Sequence, residues 1–441
     1  MNRQPSCTRR GGGALAFAMA LALAAPAVAQ DPELLAPPMP RAPSRTLTLE
    51  RALAMADADA SDLRVLQLQA QRSEAAERVA WAGILPVITG ALVYQRFDEP
   101  IVRAGVGVIR DANQFTAQVS VVETLSLRTL GAVRIAEAGS DVSRLSYEDA
   151  RRLAHGSIAR LFYTVLASRR AAELSRAQIE DALRQLAAVR GRVELGASIG
   201  LDADRAEVAA LDAMRRTADA DAALERAWDQ LGFALGLSEP VDVAGEDLAP
   251  VPVDEDEAVA RASATRSDVR ALEAARQQAG AVVDDAWYAF APSLTLAWTG
   301  SYNAVTTLNT PDPAQWIAQA TLLVPFYDGG ARYGVLRSAE LALQQADEQL
   351  AAAQRGIRLE IRDSLRRAAI AERALRIAER QSEVARRAAT AAEESYRLGN
   401  LSGLELDAAR RAAEQADLNR ILAELQLSNA RVDVLTSTGD L

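Results

Sequence analysis

Two stretches of this chain, about 130–195 and about 331–398, carry apolar residues at helical spacing over some 65 positions without an internal proline. In the second, Leu343, Ala346, Leu350, Ala353 and Ile357 keep a three-and-four spacing, and Ile361 and Leu365 then add a stutter that unwinds a supercoil locally. At 1.5 Å per residue each stretch predicts a rod about 100 Å long. Both rods end in a glycine-bearing interruption followed by a shorter helical pattern. The interruptions are Leu195-Gly-Ala-Ser-Ile-Gly-Leu-Asp-Ala-Asp204 and Tyr396-Arg-Leu-Gly-Asn-Leu-Ser-Gly-Leu-Glu-Leu-Asp407. In each, the first glycine sits where a left-handed helix end costs it least, and acidic residues open the outgoing helix against its positive start.

The interruptions are copies of one another. Leu195, Gly196, Gly200, Leu201 and Asp204 correspond to Leu398, Gly399, Gly403, Leu404 and Asp407, each 203 positions on. Upstream, Ser61-Asp-Leu-Arg64 corresponds to Ser267-Asp-Val-Arg270, Trp81 to Trp287 and Pro86 to Pro292, each at an offset of 206. Registered agreement of this kind indicates two structural repeats, 47–237 and 256–441, joined by an acidic, proline-bearing connection at 238–255. The acids from Glu246 to Glu257 are expected on the surface.

Strand patterns precede each long rod. Residues 87–97 have strand composition, and from 114 to 123 the chain alternates, with Phe115, Ala117, Val119 and Val121 on one face and Thr116, Gln118 and Ser120 on the other. A loop with Gly105 and Gly107 is expected between them. Residues 293–303 alternate in the same way, with Leu294, Leu296, Trp298 and Tyr302 against Ser293, Thr295, Thr299 and Ser301. A fourth strand is expected at 315–324. Each repeat therefore reads short helix, two strands, long helix, tight turn, short helix. The two short helices together match the long one and can stack end to end beside it, which puts the strands at one end of the rod and the turn at the other.

The fold class expected is mainly α with a small transmembrane β part: long antiparallel coiled-coil helices and four strands per chain. Ten-residue strands with one apolar face can cross a bilayer when tilted. Four of them cannot close, and an open edge in lipid leaves backbone groups unpaired at several kcal/mol each. Bacterial barrels start at eight strands, and three chains of four strands give twelve. Tyr94, Phe97, Phe115, Trp298, Tyr302 and Trp316 fall near strand ends, as interfacial aromatics do. The competing reading is a periplasmic coiled-coil scaffold whose strands form a small soluble sandwich.

Composition narrows the chemistry. Among 441 residues there is one cysteine, Cys7, one histidine, His155, and no lysine, and the net charge is −10. Zinc sites, thiol nucleophiles and most histidine-based acid–base schemes lack material, and the acidic balance disfavours nucleic acid. Residues 1–29 read as an export signal, with Arg3, Arg9 and Arg10 before the apolar run Ala14 to Ala25 and Ala27-Val-Ala29 as the cleavage site. The mature chain is expected to begin near Gln30 with a proline-rich linker, 30–46.

These features together resemble the TolC family of outer-membrane factors. The residues that carry the resemblance are Leu47-Thr-Leu-Glu-Arg-Ala-Leu53, Val324-Pro-Phe-Tyr-Asp-Gly-Gly330, Tyr396-Arg-Leu-Gly399 with Ser402 and Leu404-Glu-Leu406, and Thr438-Gly439. What the resemblance implies is a homotrimer with a twelve-stranded outer-membrane barrel and a periplasmic helical tunnel. The tunnel would be a passive duct, free of cofactors, for an inner-membrane transporter and a periplasmic adaptor.

By the same resemblance the two turns form the periplasmic entrance, where the helices close and the adaptor docks. Adaptor contacts would come from Leu195, Gly196, Ser198, Gly200, Leu398, Gly399, Ser402 and Gly403. Glu405 falls where many members carry a pore-facing acid, and three copies would form a cation-selective ring. Asp407 lies one position before the usual second acid, and Asp202 and Asp204 are the first-repeat counterparts. The simpler reading of all four is that they favour helix starts. Gly196-Ala-Ser-Ile-Gly200 also spells a nucleophile-elbow pattern, but that motif requires a preceding strand and a later histidine, and a helix pattern and an earlier His155 stand there instead.

Overall fold

The computed structural model describes residues 40–105, 107–245, 254–306 and 312–441. The expected export signal, most of the proline-rich linker and the acids of 246–253 lie outside the described residues. In chain order the elements are β1 (Thr46–Leu47), α1 (Leu49–Asp59), α2 (Ser61–Ala82), β2 (Val87–Arg96), β3 (Ile101–Arg103), β4 (Gly107–Arg110), β5 (Asn113–Leu125), α3 (Leu127–Glu194), α4 (Gly200–Ala234), β6 (Asp242–Val243), α5 (Glu255–Thr265), α6 (Ser267–Tyr288), β7 (Ser293–Asn303), β8 (Ala314–Leu323), α7 (Ala331–Arg397) and α8 (Gly403–Thr438). The rods α3 and α7 have 68 and 67 residues.

Caps explain most starts. Thr48 accepts from the Arg51 N–H, Ser126 from that of Arg128 and Asp254 from that of Asp256, each with its own backbone extended, as an N-cap requires. Asp328 accepts from the N–H groups of Gly330 and Arg332 and sets the turn from β8 into α7. Each upper helix, expected to be continuous, is instead broken in two. Ala60 and, 206 positions on, Arg266 leave the helix with ψ near 120° while their N–H groups still bond one turn back. The break at Ala60 keeps Ala52, Ala56, Ala60 and Leu63 in one core. At the second, buried Arg266 holds Asp268 and Glu360 and donates to the Ser437 carbonyl. Neither break involves proline or glycine, so neither was marked in the pattern.

Strands β2, β5, β7 and β8 form one antiparallel sheet in that order. Residues directly opposite one another share a face. The register therefore places Ile88, Val121, Trp298 and Ala318 in one row, Gly90, Val119, Gly300 and Trp316 in the next, and Tyr94 beside Phe115. Among the described residues nothing covers this face: Leu92 is 75 % and Trp316 72 % exposed. The other face is polar and carries cross-strand hydrogen bonds, Thr89 to Ser120 at 2.6 Å and Thr116 to Asn303 at 2.8 Å. A sandwich would have buried the apolar face. The expected loop between β2 and β5 contains a further hairpin, β3 with β4, and Arg110 stacks on Phe97 at its base, 4.0 Å from the ring centre.

At the other end of the sheet the rods begin. α3 packs on α4 and α2, α7 on α8, α5 and α6, and the repeats meet where α3 lies against α6 and α8. The main core forms halfway down α3, around Ile158, Phe162, Leu231, Leu235, Val241 and Val243. The first part of the connection, ahead of the acids expected on the surface, belongs to it. β6 pairs in parallel with β1, Val241 and Val243 are buried, and Asp242 receives Trp228 Nε1 at 2.8 Å together with Arg169. An acidic stretch with prolines gave no sign of this, because Val241-Asp-Val243 is too short to show a strand period and its partner β1 lies nearly 200 positions earlier. Beside this core His155 Nε2 lies 2.8 Å from Asp57, which Arg151 also clasps with two guanidinium nitrogens. The Arg151 hydrogen bonds hold the Asp57 carboxyl below the usual range against the effect of its partial burial.

Candidate functional site: the paired tip turns

Both long rods end in the same way. Leu195 closes α3; the Gly196 N–H then bonds the Val193 carbonyl at 2.9 Å and the Ala197 N–H that of Arg192 at 2.8 Å. At the second tip Gly399 bonds Tyr396 at 3.0 Å and Asn400 bonds Ser395 at 2.9 Å. These are Schellman ends, and they need a left-handed residue: φ is 69° at Gly196 and 76° at Gly399.

The outgoing helices start differently. At the second tip Ser402 Oγ accepts from the Glu405 N–H at 3.3 Å, and Glu405 Oε2 accepts from the Ser402 N–H at 3.0 Å and its hydroxyl at 2.8 Å. This is a capping box. Donation from Ser402, backbone first, holds the exposed Glu405 carboxyl below the usual glutamate range. At the first tip the N-cap is Ile199, which offers no side-chain bond. There Ser198 Oγ donates instead to Asp202 at 2.8 Å. The helix starts at Gly200, so Asp202 lies in its first turn rather than at its start.

The four acids do not share one environment. Glu405 and Asp204 are exposed, Asp202 and Asp407 half-buried. Asp204 makes no hydrogen bond or ion pair among the described residues. Asp407 accepts from Gln185 of α3 at 3.4 Å, and Arg410 links Gln185 to Glu393. Arg192 stacks over Tyr396, 5.3 Å from its ring centre. These contacts tie the first tip to the second, and residues more than 200 positions apart gave no pairing signal in the sequence. Leu195, Leu398 and Leu404 are exposed. Ser198 follows a helix, and His155 lies 43 positions up α3, roughly 60 Å away along the axis. Among the described residues no cluster of His, Cys, Asp or Glu is arranged to hold a metal ion, and no helix is long and apolar enough to cross a membrane.

A duplicated helical rod, with an amphipathic open sheet at one end and a pair of tight turns at the other, defines the class of outer-membrane channels with a long periplasmic tunnel. The pattern of the family "Outer membrane efflux protein" matches residues 52–237 and 258–440, and the chain belongs to that family. It is an exit duct for efflux, and the family and its structural neighbours are channels. No curated protein matches the chain by sequence.

Solved structures share the fold at low identity. The CmeC outer membrane channel of Campylobacter jejuni superposes with a TM-score of 0.76 at 17 % identity over 89 % of this chain and 85 % of its own. VceC of Vibrio cholerae gives 0.73 at 16 % over 89 % and 96 %. The MtrE outer membrane channel of Neisseria gonorrhoeae, in its open state, gives 0.73 at 19 % over 89 % and 88 %.

Proposed function

We propose that three copies join their sheets into one twelve-stranded barrel in the outer membrane, and that the rods below it form a periplasmic tunnel whose tips meet an adaptor and an inner-membrane transporter. The duct would serve a tripartite efflux or type I secretion system. The observation that carries this reading is the sheet: its edge strands β2 and β8 are exposed along their whole length and its apolar face is uncovered. Because every neighbour in the four is antiparallel, β2 and β8 run in opposite directions, so β8 of one copy beside β2 of the next continues the antiparallel order. In lipid this joining removes every unpaired edge and leaves the threonines and serines of the polar face toward the lumen.

At the tips, three Glu405 carboxylates held charged by Ser402 would ring the entrance and favour cations. Glutamine keeps the capping geometry while removing the charge. In planar bilayers Glu405→Gln is expected to weaken block by multivalent cations relative to the unaltered channel. Unchanged current with unchanged block would place Glu405 outside the lumen, and absence of any conductance from the unaltered protein would defeat the duct.

A further inference from the structure

The four sheet strands place their charges on the face where charge costs most. On the lipid face of a barrel strand a charged side chain is destabilising by an amount that grows with depth, whereas on the lumen face it meets water. In β2, β5, β7 and β8 only Arg96 and Glu123 are charged. Both belong to the apolar face. Arg96 stands opposite Asn113 in the last pair of β2 with β5, at the end far from the rods. Glu123 stands opposite Leu296, one step on that face from the last pair, Leu125 with Leu294, where the rods begin. These are rim positions, where the cost of a charge falls away. The polar face, on which acids and bases would be cheapest, carries none.

We propose that the barrel is an exit without a charge filter: it passes cargo of either sign, and uncharged amphiphiles, and leaves discrimination by charge to the helical tunnel and its tips. The inference rests on the barrel reading above and adds what the barrel admits. A ring of like charges in a pore favours one sign and holds it. Here the polar face offers hydroxyls and amides, and these are engaged with one another. Besides the Thr89–Ser120 and Thr116–Asn303 bonds, Thr124 and Thr295 lie 3.4 Å apart across the strands, and Gln319 Nε2 donates to Thr321 at 3.1 Å. Val93, Val122, Ala297 and Ile317 share this face and give an amphiphile methyl groups to slide along. At the mouth the β3–β4 hairpin and its flanks mix both signs, Asp98, Glu99 and Asp111 with Arg103 and Arg110.

The test is side-specific block in planar bilayers. The polar rods cannot cross a bilayer, so protein added from one side leaves its barrel mouth open to the other. Hexaamminecobalt, a multivalent cation, and hexacyanoferrate, a multivalent anion, are added in turn at that mouth. The unaltered channel is expected to show no preference between them in shallow block, the weakly voltage-dependent kind that arises close to the side of addition. Gln118→Glu and Gln315→Glu add a charge without changing shape, in one row of the polar face. Each is expected to strengthen shallow block by hexaamminecobalt at least about tenfold and to leave block by hexacyanoferrate no stronger. A shallow preference of the unaltered channel for either ion overturns the inference and leaves the duct. Variants that conduct without new block, or that both fail to insert where the unaltered protein inserts, put this face against lipid and overturn the barrel reading with it.

Discussion

At the first tip α4 starts on Ile199, whose side chain satisfies none of the helix's free N–H groups, and the local polar contacts, Ser198 on Asp202 and the ion pair of Arg205 with Asp202, reach side chains alone. At the second, Ser402 and Glu405 cap α8 reciprocally. The incoming ends of the same two turns are alike to the individual hydrogen bond. A left-handed end can be made cheaply by glycine alone, so Gly196 and Gly399 stand at matching positions. A helix start can be satisfied by several side chains or by water, so the two copies have diverged there. One tip is consequently held at both its ends and the other at one, and the looser α3–α4 turn is the side from which local opening should begin.

The largest effect should fall on what the tips share. A valine at position 196 or 399 would have to adopt a left-handed conformation costing about 1–2 kcal/mol. Hydrogen exchange in the last turn of α3 or α7 should accelerate roughly tenfold in Gly196→Val and Gly399→Val alike. A response at only one tip would break the equivalence. Next comes the difference between them: Ser402→Ala should cost about 1 kcal/mol and speed exchange in the first turn of α8 about fivefold. Ile199→Asp should slow exchange in the first turn of α4 by a similar factor, bringing the first tip to the stability of the second.

A smaller contrast depends on pH. Because the Glu405 pKa is lowered in the folded chain, its contribution is complete above the unfolded glutamate pKa and is lost as pH falls through the folded value. After correction for intrinsic exchange, the second tip should lose protection on acidification below the ordinary glutamate range, and Glu405→Gln should abolish that dependence. Smallest of all, Ser198→Ala should change the first tip by less than about 0.5 kcal/mol, since its hydroxyl reaches a side chain and no helix N–H.

Much of this was legible before any coordinates. Glycines recurring at 196 and 399, alternation at 293–303 and proline-free rods each reflect a single local constraint, and local constraints leave periodic traces. The acid at 405 was legible as one that favours a helix start, and the structure engages it more specifically, in a capping box with Ser402. Three features left no trace: the breaks at Ala60 and Arg266, the β1–β6 pair inside the connection, and the Gln185–Asp407–Arg410 link. Each depends on what lies opposite in space. An alanine, a valine pair and a glutamine carry no local mark of a distant partner.

The contrast between the paired inner strands and open β2 and β8 has one cause in this account: the single chain is one third of a closed object. Native mass spectrometry of the protein extracted from outer membranes in mild detergent tests that most directly. The account predicts one species with the mass of three mature chains, which collapses to single chains only on unfolding. A monodisperse single chain that stays soluble when detergent is withdrawn would contradict it.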